Sequence, residues 1–293
     1  MQITIDPDAG FCFGVDQAIR QADELLSTGS KIYCLGDIVH NTTELARLKA
    51  NGLEVIGYDQ FQRLQDAIVI IRAHGEPPST YELAQLNNIK LVDATCPIVH
   101  KLQQRIGKHY TEGKEKSLQI VIFGKKSHAE VAGLAGQTDD KAIIICSNED
   151  LEKIDFAKPV SLFSQTTMDQ EAYELTGKEI ERRMKLANPE GSINLQVSDS
   201  ICRQVSRRAP LLEDFAGKQD VVIFVSGNNS SNGKYLFSRC LKANKSSHMI
   251  SKADELQKNW FSVAEKVGVS GATSTPLSEL QSIADLINSI GRK

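Results

Sequence analysis

The strongest constraint in this sequence is an alternation. Nine short apolar runs, rich in β-branched residues, recur along the chain: Ile3–Ile5, Lys31–Leu35, Ala67–Ile71, Lys90–Val92, Ile120–Phe123, Ala142–Ile145, Ser161–Phe163, Ile193–Val197 and Val221–Val225. Runs of this length read as strands buried on both faces. Between them lie helix-length stretches with 3.6-type spacing, including Val15–Leu26, Thr42–Ala50, Ser79–Asn87, Val99–Tyr110, Met168–Leu186, Arg203–Phe215 and Leu277–Ile290. Strand–helix alternation predicts parallel α/β units. No Pro- or Ser-rich linker divides the chain, so its organisation must be sought in repetition.

A repetition is carried by cysteine. Cys12, Cys96 and Cys202 each follow a strand-like run and open a helix-like one. In parallel sheets such turns lie at the carboxyl ends of strands, where ligands bind. A helix N-terminus also favours thiolate, the form a metal needs. The spacing predicts three α/β units, with boundaries set at 1–96, 97–200 and 201–293, the last including the C-terminal segment. Cys34, Cys146 and Cys240 sit within apolar runs or a helical stretch and read as small buried residues. No two cysteines are closer than 22 residues. Zinc ribbons, thioredoxin-type pairs and ferredoxin spacings are therefore absent. His128-Ala129-Glu130 matches the H-x-E half of the zinc deaminase signature, but the C-x-x-C half is missing. A ligand set drawn from three separate units remains. Three thiolates can hold three irons of a [4Fe–4S] cluster, which leaves the fourth open as a Lewis acid.

Polar residues cluster at the other strand ends: Asp37–Asn41, Arg72–Glu76, Ser127–Glu130, Ser164–Thr167, Gly227–Gly233 and Gly271–Pro276. Three of the six histidines, His40, His74 and His128, fall in these loops. Imidazoles, amides and hydroxyls around helix N-termini make an anion pocket of the kind phosphate needs. The standard nucleotide loops are missing, since Gly227–Lys234 departs from P-loop spacing and no G-x-G-x-x-G follows a strand. The net charge of −3 offers no basic face for nucleic acid. No apolar run reaches the roughly 18 residues of a membrane helix. The N-terminal Met1–Asp6 stretch lacks a basic region followed by an apolar core, so no signal peptide is expected and the cytoplasm is the expected location.

Taken together, Gly10-Phe11-Cys12-x-Gly14-Val15, Val39-His40-Asn41, Ala73-His74-Gly75, Asp93-Ala94-Thr95-Cys96-Pro97, His128-x-Glu130-Val131-x-Gly133, Gln165-Thr166-Thr167, Ile201-Cys202 and Asn229-Ser230-Ser231-Asn232 resemble the 4-hydroxy-3-methylbut-2-enyl diphosphate reductase family. The resemblance runs from about residue 10 to 276, with the motifs in family order. It implies an α/β fold of three small domains in pseudo-threefold arrangement around a central iron–sulfur cluster. It implies Cys12, Cys96 and Cys202 as ligands of a [4Fe–4S] cluster with one open iron. His40, His74, His128, Ser230, Asn232 and Ser274 would line a diphosphate site, with Ser231 beside them. Glu130 and Thr166 would lie near the substrate hydroxyl and relay protons, His128 being grouped with them. The implied reaction is reductive dehydroxylation of (E)-4-hydroxy-3-methylbut-2-enyl diphosphate to isopentenyl and dimethylallyl diphosphate, the last step of the methylerythritol phosphate route. An external one-electron donor, a ferredoxin or flavodoxin system, would be the redox partner. The family commonly has a small residue where Phe13 stands and Pro where Ala129 stands. Two other readings share the residues: an open-iron hydro-lyase acting on another anion, and a non-catalytic diphosphate-binding redox sensor.

Overall fold

The structure is a computed structural model that describes residues 1–291. Residues 292 and 293 of the expected third domain lie outside the described residues. The chain divides into two compact units, one formed by 1–57 with 203–293 and the other by 58–202.

In chain order the first unit begins with β1 (Gln2–Ile5), α1 (Phe13–Ser27), β2 (Ile32–Leu35), α2 (Thr42–Ala50) and β3 (Leu53–Ile56). The second unit holds α3 (Tyr58–Phe61), β4 (Ile68–Ile71), α4 (Pro78–Leu86), β5 (Lys90–Asp93), α5 (Pro97–Gly113), β6 (Gln119–Phe123), α6 (Ala129–Ala135), β7 (Ile143–Ile145), β8 (Val160–Ser164), α7 (Gln170–Ala187) and β9 (Leu195–Val197). The chain then returns to the first unit through α8 (Arg203–Gly217), β10 (Val221–Val225), α9 (Ser231–Ala243), β11 (Ser247–Ile250), β12 (Lys266–Gly271) and α10 (Leu277–Gly291). The described strands form three four-stranded sheets, and the pairings within each unit are parallel.

In the first unit one sheet has the order β1-β12-β10-β11. Its first strand and its last are neighbours, with Gln2 opposite Lys266 and Ile5 opposite Val269. The period-2 alternation of a strand explains its two cores. Val221, Ile223 and Val225 of β10 pack with Leu280, Ile283 and Ile287 of α10. Val222 and Phe224 point the other way, onto Leu212 and Ala216 of α8 and Leu236 and Cys240 of α9. The same unit contains the β2–β3 pair.

The second unit repeats the scheme with the order β7-β6-β8-β9. Val121 and Phe123 of β6 face Tyr173, Ile180 and Met184 of α7. Ile120 and Ile122 face Leu102 and Ile106 of α5 and Val131 and Leu134 of α6. The unit also contains the β4–β5 pair. Helices on both faces are what continuous apolar strands demand, because neither face can be left in water.

Three strands lie outside the nine apolar runs. β3 places exposed Glu54 between buried Leu53 and Ile56, β11 reads Ser-His-Met-Ile, and β12 separates Val267 and Val269 with Gly268. Their polar and glycine residues break the buried-run signal. Cys34 and Cys240 are fully buried, as expected, whereas Cys146 is exposed. Cys146 lies just past the end of β7, an edge strand, where its N–H is held by the Asp150 carboxylate at 2.8 Å.

Candidate functional site

The three singled-out cysteines occupy equivalent positions by backbone geometry. The N–H of Cys12 donates to the Thr273 carbonyl (3.0 Å), that of Cys96 to Ala73 (3.0 Å) and that of Cys202 to Thr166 (2.9 Å). Each acceptor lies two residues beyond its strand: β12, β4 and β8 respectively. In each case the strand leading to the cysteine, β1, β5 or β9, is the parallel neighbour of that acceptor strand. A helix starts immediately after each cysteine, and Cys12 and Cys96 are the N-cap residues of α1 and α5. Neither uses its sulfur as the cap. All three side chains are half-buried, and none is in a disulfide. Three thiols at positively poled helix starts, those of Cys12 and Cys96 not spent on capping, fit a soft-metal or iron–sulfur group.

In the second unit the acid chemistry is compact. Glu130, in the first turn of α6, is 1% exposed. Its Oε1 accepts the Thr166 N–H at 2.7 Å, and its Oε2 accepts the Thr166 hydroxyl at 2.9 Å. Burial pushes its pKa up to about 7, although both Thr166 bonds oppose the shift. His128 is the N-cap of α6, and its Nδ1 accepts the Glu130 N–H at 3.2 Å. That bond requires an unprotonated Nδ1, so a neutral ring carries its proton on Nε2. The His74 and His128 rings meet edge to face, 5.1 Å between centroids. The His74 loop needs Gly75, whose φ is +71° and whose absent Cβ would stand 2.7 Å from the Gln103 amide nitrogen.

In the first unit, Asn41 caps α2 by accepting the Glu44 N–H (2.8 Å), and Ser230 caps α9 by accepting the Gly233 N–H (2.9 Å). Ser231 and Asn232 follow in the first turn of α9. A cavity of 260 Å³ is bordered by His40 and Asn41 on one loop and by Gly227, Asn228 and Asn229 on the other. The two loops approach so closely that a Cβ on Gly227 would sit 2.2 Å from the His40 carbonyl oxygen. Asn232 spends its Oδ1 on the N–H (3.0 Å) and hydroxyl (2.9 Å) of Thr273. Its Nδ2 and the Ser274 hydroxyl are buried, with no hydrogen-bond partner among the described residues. A buried donor without a partner costs about 1–3 kcal/mol, so two of them at adjacent helix starts suit an anionic ligand.

The structure therefore gathers the expected residues as two sets. His74, His128, Glu130, Thr166, Cys96 and Cys202 belong to the second unit, and Cys12, His40, Ser230, Ser231, Asn232 and Ser274 to the first. The sequence reading gave Thr273 no role, yet it holds both Asn232 and the Cys12 N–H; its position beside Ser274 was the only signal. Ser127–Glu130 reads as loop from its polar residues, whereas in the structure His128 caps a helix that contains Glu130.

Fold and site define a class: a parallel α/β protein that presents three cysteines at three equivalent strand-to-helix turns, beside polar helix caps and a buried acid. The chain belongs to the LytB protein family, whose sequence model matches residues 3–288. It is 47% identical over 288 residues to the 4-hydroxy-3-methylbut-2-enyl diphosphate reductase of Bacteroides thetaiotaomicron, covering 98% of each chain. The Chloroherpeton thalassium protein of the same name is 43% identical, with 98% of this chain and 96% of that one covered. Among solved structures, the E-1-hydroxy-2-methyl-but-2-enyl-4-diphosphate reductase of Plasmodium falciparum matches with a TM-score of 0.82 at 26% identity, covering 97% of this chain and 87% of that one. A second, described as (E)-4-hydroxy-3-methyl-but-2-enyl diphosphate reductase, the terminal enzyme of the non-mevalonate pathway, matches at 0.72 and 32% identity, covering 98% and 99%. Among the described residues no helix is long and apolar enough to cross a membrane.

Proposed function

We propose that this chain is a 4-hydroxy-3-methylbut-2-enyl diphosphate reductase, working in the cytoplasm on a small allylic diphosphate. The observation that carries this reading is one continuous linkage in the second unit. Glu130, an acid whose burial raises its pKa to about 7, is held by Thr166, whose carbonyl in turn holds the N–H of Cys202. A proton donor and a thiol ligand are thus fixed by the two ends of one residue.

Cys12, Cys96 and Cys202, one from each of the three equivalent strand-to-helix turns, would hold a [4Fe–4S] cluster. When bound, such a cluster supplies single electrons and, at an iron without a protein ligand, Lewis acidity toward the substrate hydroxyl. The remaining work falls to the chain. Replacing C–OH by C–H takes two electrons and two protons and releases water. With its pKa raised to about 7, Glu130 can still carry a proton near neutral pH, and Thr166 Oγ1, 2.9 Å from its Oε2, can pass that proton on. His128 fixes the start of α6 and so the placement of Glu130. The diphosphate meets Asn232 Nδ2, the Ser274 hydroxyl, the Ser230 and Ser231 caps and His40 in the first unit, and His74 and His128 in the second. These are neutral donors and imidazoles rather than a lysine cluster. Binding energy from the diphosphate positions the reacting carbon.

The test is an anaerobic assay with reduced viologen and the diphosphate substrate. The expected result is a brown protein containing iron and acid-labile sulfide that forms isopentenyl and dimethylallyl diphosphate only when reductant is present. Turnover without reductant would make the chain a hydro-lyase, and binding without conversion would make it a sensor. A colourless protein with one zinc would overturn the cluster assignment.

A further inference from the structure

Glu279 stands in the first turn of α10, the helix that follows the Ser274 loop. Both of its carboxylate oxygens reach the start of α2. Oε2 accepts a hydrogen bond from Asn41 Nδ2 at 2.7 Å, and Oε1 accepts one from the Thr43 hydroxyl at 2.6 Å. These lengths are those of charge-assisted bonds. Asn41 is buried and directly follows His40. Its Oδ1 accepts the Glu44 N–H, so both ends of its amide are held. Only one orientation satisfies them, because a flipped amide would set its oxygen against the carboxylate and its NH2 against the Glu44 N–H. The Ser274 loop is itself tied down. The Thr275 hydroxyl donates to the Val225 carbonyl at 2.9 Å, and the Thr275 N–H donates to the Ala272 carbonyl at 2.9 Å. A fixed loop carrying Ser274 thus runs on into the carboxylate that fixes the residue beside His40, and all of these residues belong to the first unit.

We infer that Glu279 is a positioning residue of the diphosphate site, locking the His40 loop to the Ser274 loop so that both are in place before the anion arrives. The inference rests on the reading of these loops as that site, given above. Helix polarity alone accounts for an acid in the first turn of α10, but it requires no partner on α2. A carboxylate is also a poor neighbour for an anion, since like charges repel. Here both oxygens are spent on neutral donors of α2, which gives the acid a task other than meeting the ligand. The link joins residues 238 apart in sequence, so it organises tertiary structure rather than a local turn. A loop already held in its binding conformation loses less freedom when the ligand binds, and the gain appears in affinity. Asn41 and Thr43 have no part in the proton relay of Glu130 and Thr166. Loss of the link therefore raises KM and leaves kcat.

The test uses the cluster-loaded full chain, with inorganic diphosphate as the calorimetric probe and viologen-driven turnover for the split between KM and kcat. Glu279→Ala is expected to weaken diphosphate binding and to raise KM about tenfold, the scale of one charge-assisted hydrogen bond, with kcat and iron content unchanged. Glu279→Gln keeps an oxygen for Asn41 and an NH2 for the Thr43 hydroxyl, and is expected to restore both constants to within about twofold of wild type. In a His40→Asn background Glu279→Ala is expected to have no further effect on diphosphate binding, because coupled residues are not additive. Glu255→Ala is the control for lost stability. It removes a carboxylate that accepts the Ser251 N–H and hydroxyl within one turn, and is expected to bind diphosphate as wild type does. Wild-type diphosphate binding by Glu279→Ala overturns the proposal. So does an undiminished effect of Glu279→Ala in the His40→Asn background, or an equal weakening by Glu255→Ala, because the acid would then serve only the general stability of the fold. Binding of diphosphate by the wild type without turnover strikes at the proposed activity alone. Wild-type protein that binds no diphosphate removes the site and this assignment with it.

Discussion

Replacing Glu130 by glutamine isolates the consequence of burying this acid. The substitution is close to isosteric. The amide oxygen can keep the Thr166 N–H bond, and the amide nitrogen can donate to the Thr166 hydroxyl, which rotates to accept. What is lost is the ionisable proton. Moving a carboxyl pKa from its ordinary 4.5 to about 7 in the fold corresponds to about 3 kcal/mol, at about 1.4 kcal/mol per pH unit. The raised value means that the unfolded chain ionises first. Its contribution to stability is fully present below pH 4.5 and drains away as pH rises through about 7. The amide does not titrate, so Glu130→Gln escapes this loss. For metal-free protein, the melting temperatures of the two forms should nearly coincide at pH 4.5. At pH 8.5 the variant should melt higher by roughly 6–12 °C, taking about 2–4 °C per kcal/mol for a chain of this size. Comparing the two forms at each pH cancels every other titrating group. A difference in melting temperature that is the same at both pH values would refute the reasoning, because Glu130 would then ionise as an ordinary surface acid. In the loaded enzyme the same acid predicts turnover that falls on the alkaline side of pH 7, and Glu130→Gln should keep its iron while losing most activity.

The division of the cysteines is tested by iron content: Cys96→Ser should lose cluster and turnover together, whereas Cys34→Ser, fully buried in β2, should keep both. Asp6→Ala should lower stability by about 3–5 kcal/mol in chemical unfolding, because Arg208 and Ser270 both bond Asp6 Oδ2 in a buried site and the guanidinium would be left without its counter-charge. Gly227→Ala should cost about 1–3 kcal/mol, because its Cβ would have to displace the His40 carbonyl. That displacement should raise the KM for the diphosphate more than it lowers kcat, which steady-state kinetics can check.

Much of the scaffold is readable locally. Thr42–Ala50 is delimited by Asn41, a strong N-cap that bonds Glu44, so the helix could be bounded from its own residues. The central strands β6, β8 and β10 are continuous apolar runs because helices cover both faces. The edge strands β3 and β11 fail this test because half of each meets solvent or polar neighbours. Helix α6 is seven residues long and is interrupted by Gly133, so its periodicity is too short to read, although its cap and its acid were both singled out. The placement of cysteines at strand-to-helix turns was visible; the carbonyls that fix them were not. Backbone acceptors carry no side-chain signature, and Thr273 lies 261 residues from the cysteine it holds. The Asp6–Arg208–Ser270 cluster escapes for the same reason, since its members are far apart in sequence and individually resemble surface polar residues.

The pairing of β1 with β12 sets an order of events during synthesis. Gln2 finds its partner only at Lys266, and the Cys12 N–H finds its acceptor only at Thr273. At roughly 5–20 residues per second, the first segment made must wait some tens of seconds for the last. The second unit, continuous from residue 58 to 202, can close during that interval. Cys12 therefore leaves the ribosome earliest of the three thiols and is the last to be fixed in place. An iron–sulfur assembly factor acting on a nascent chain would meet an ordered Cys96 and Cys202 before an ordered Cys12, and truncations that end before residue 266 should be unable to hold a complete cluster however well their central unit folds.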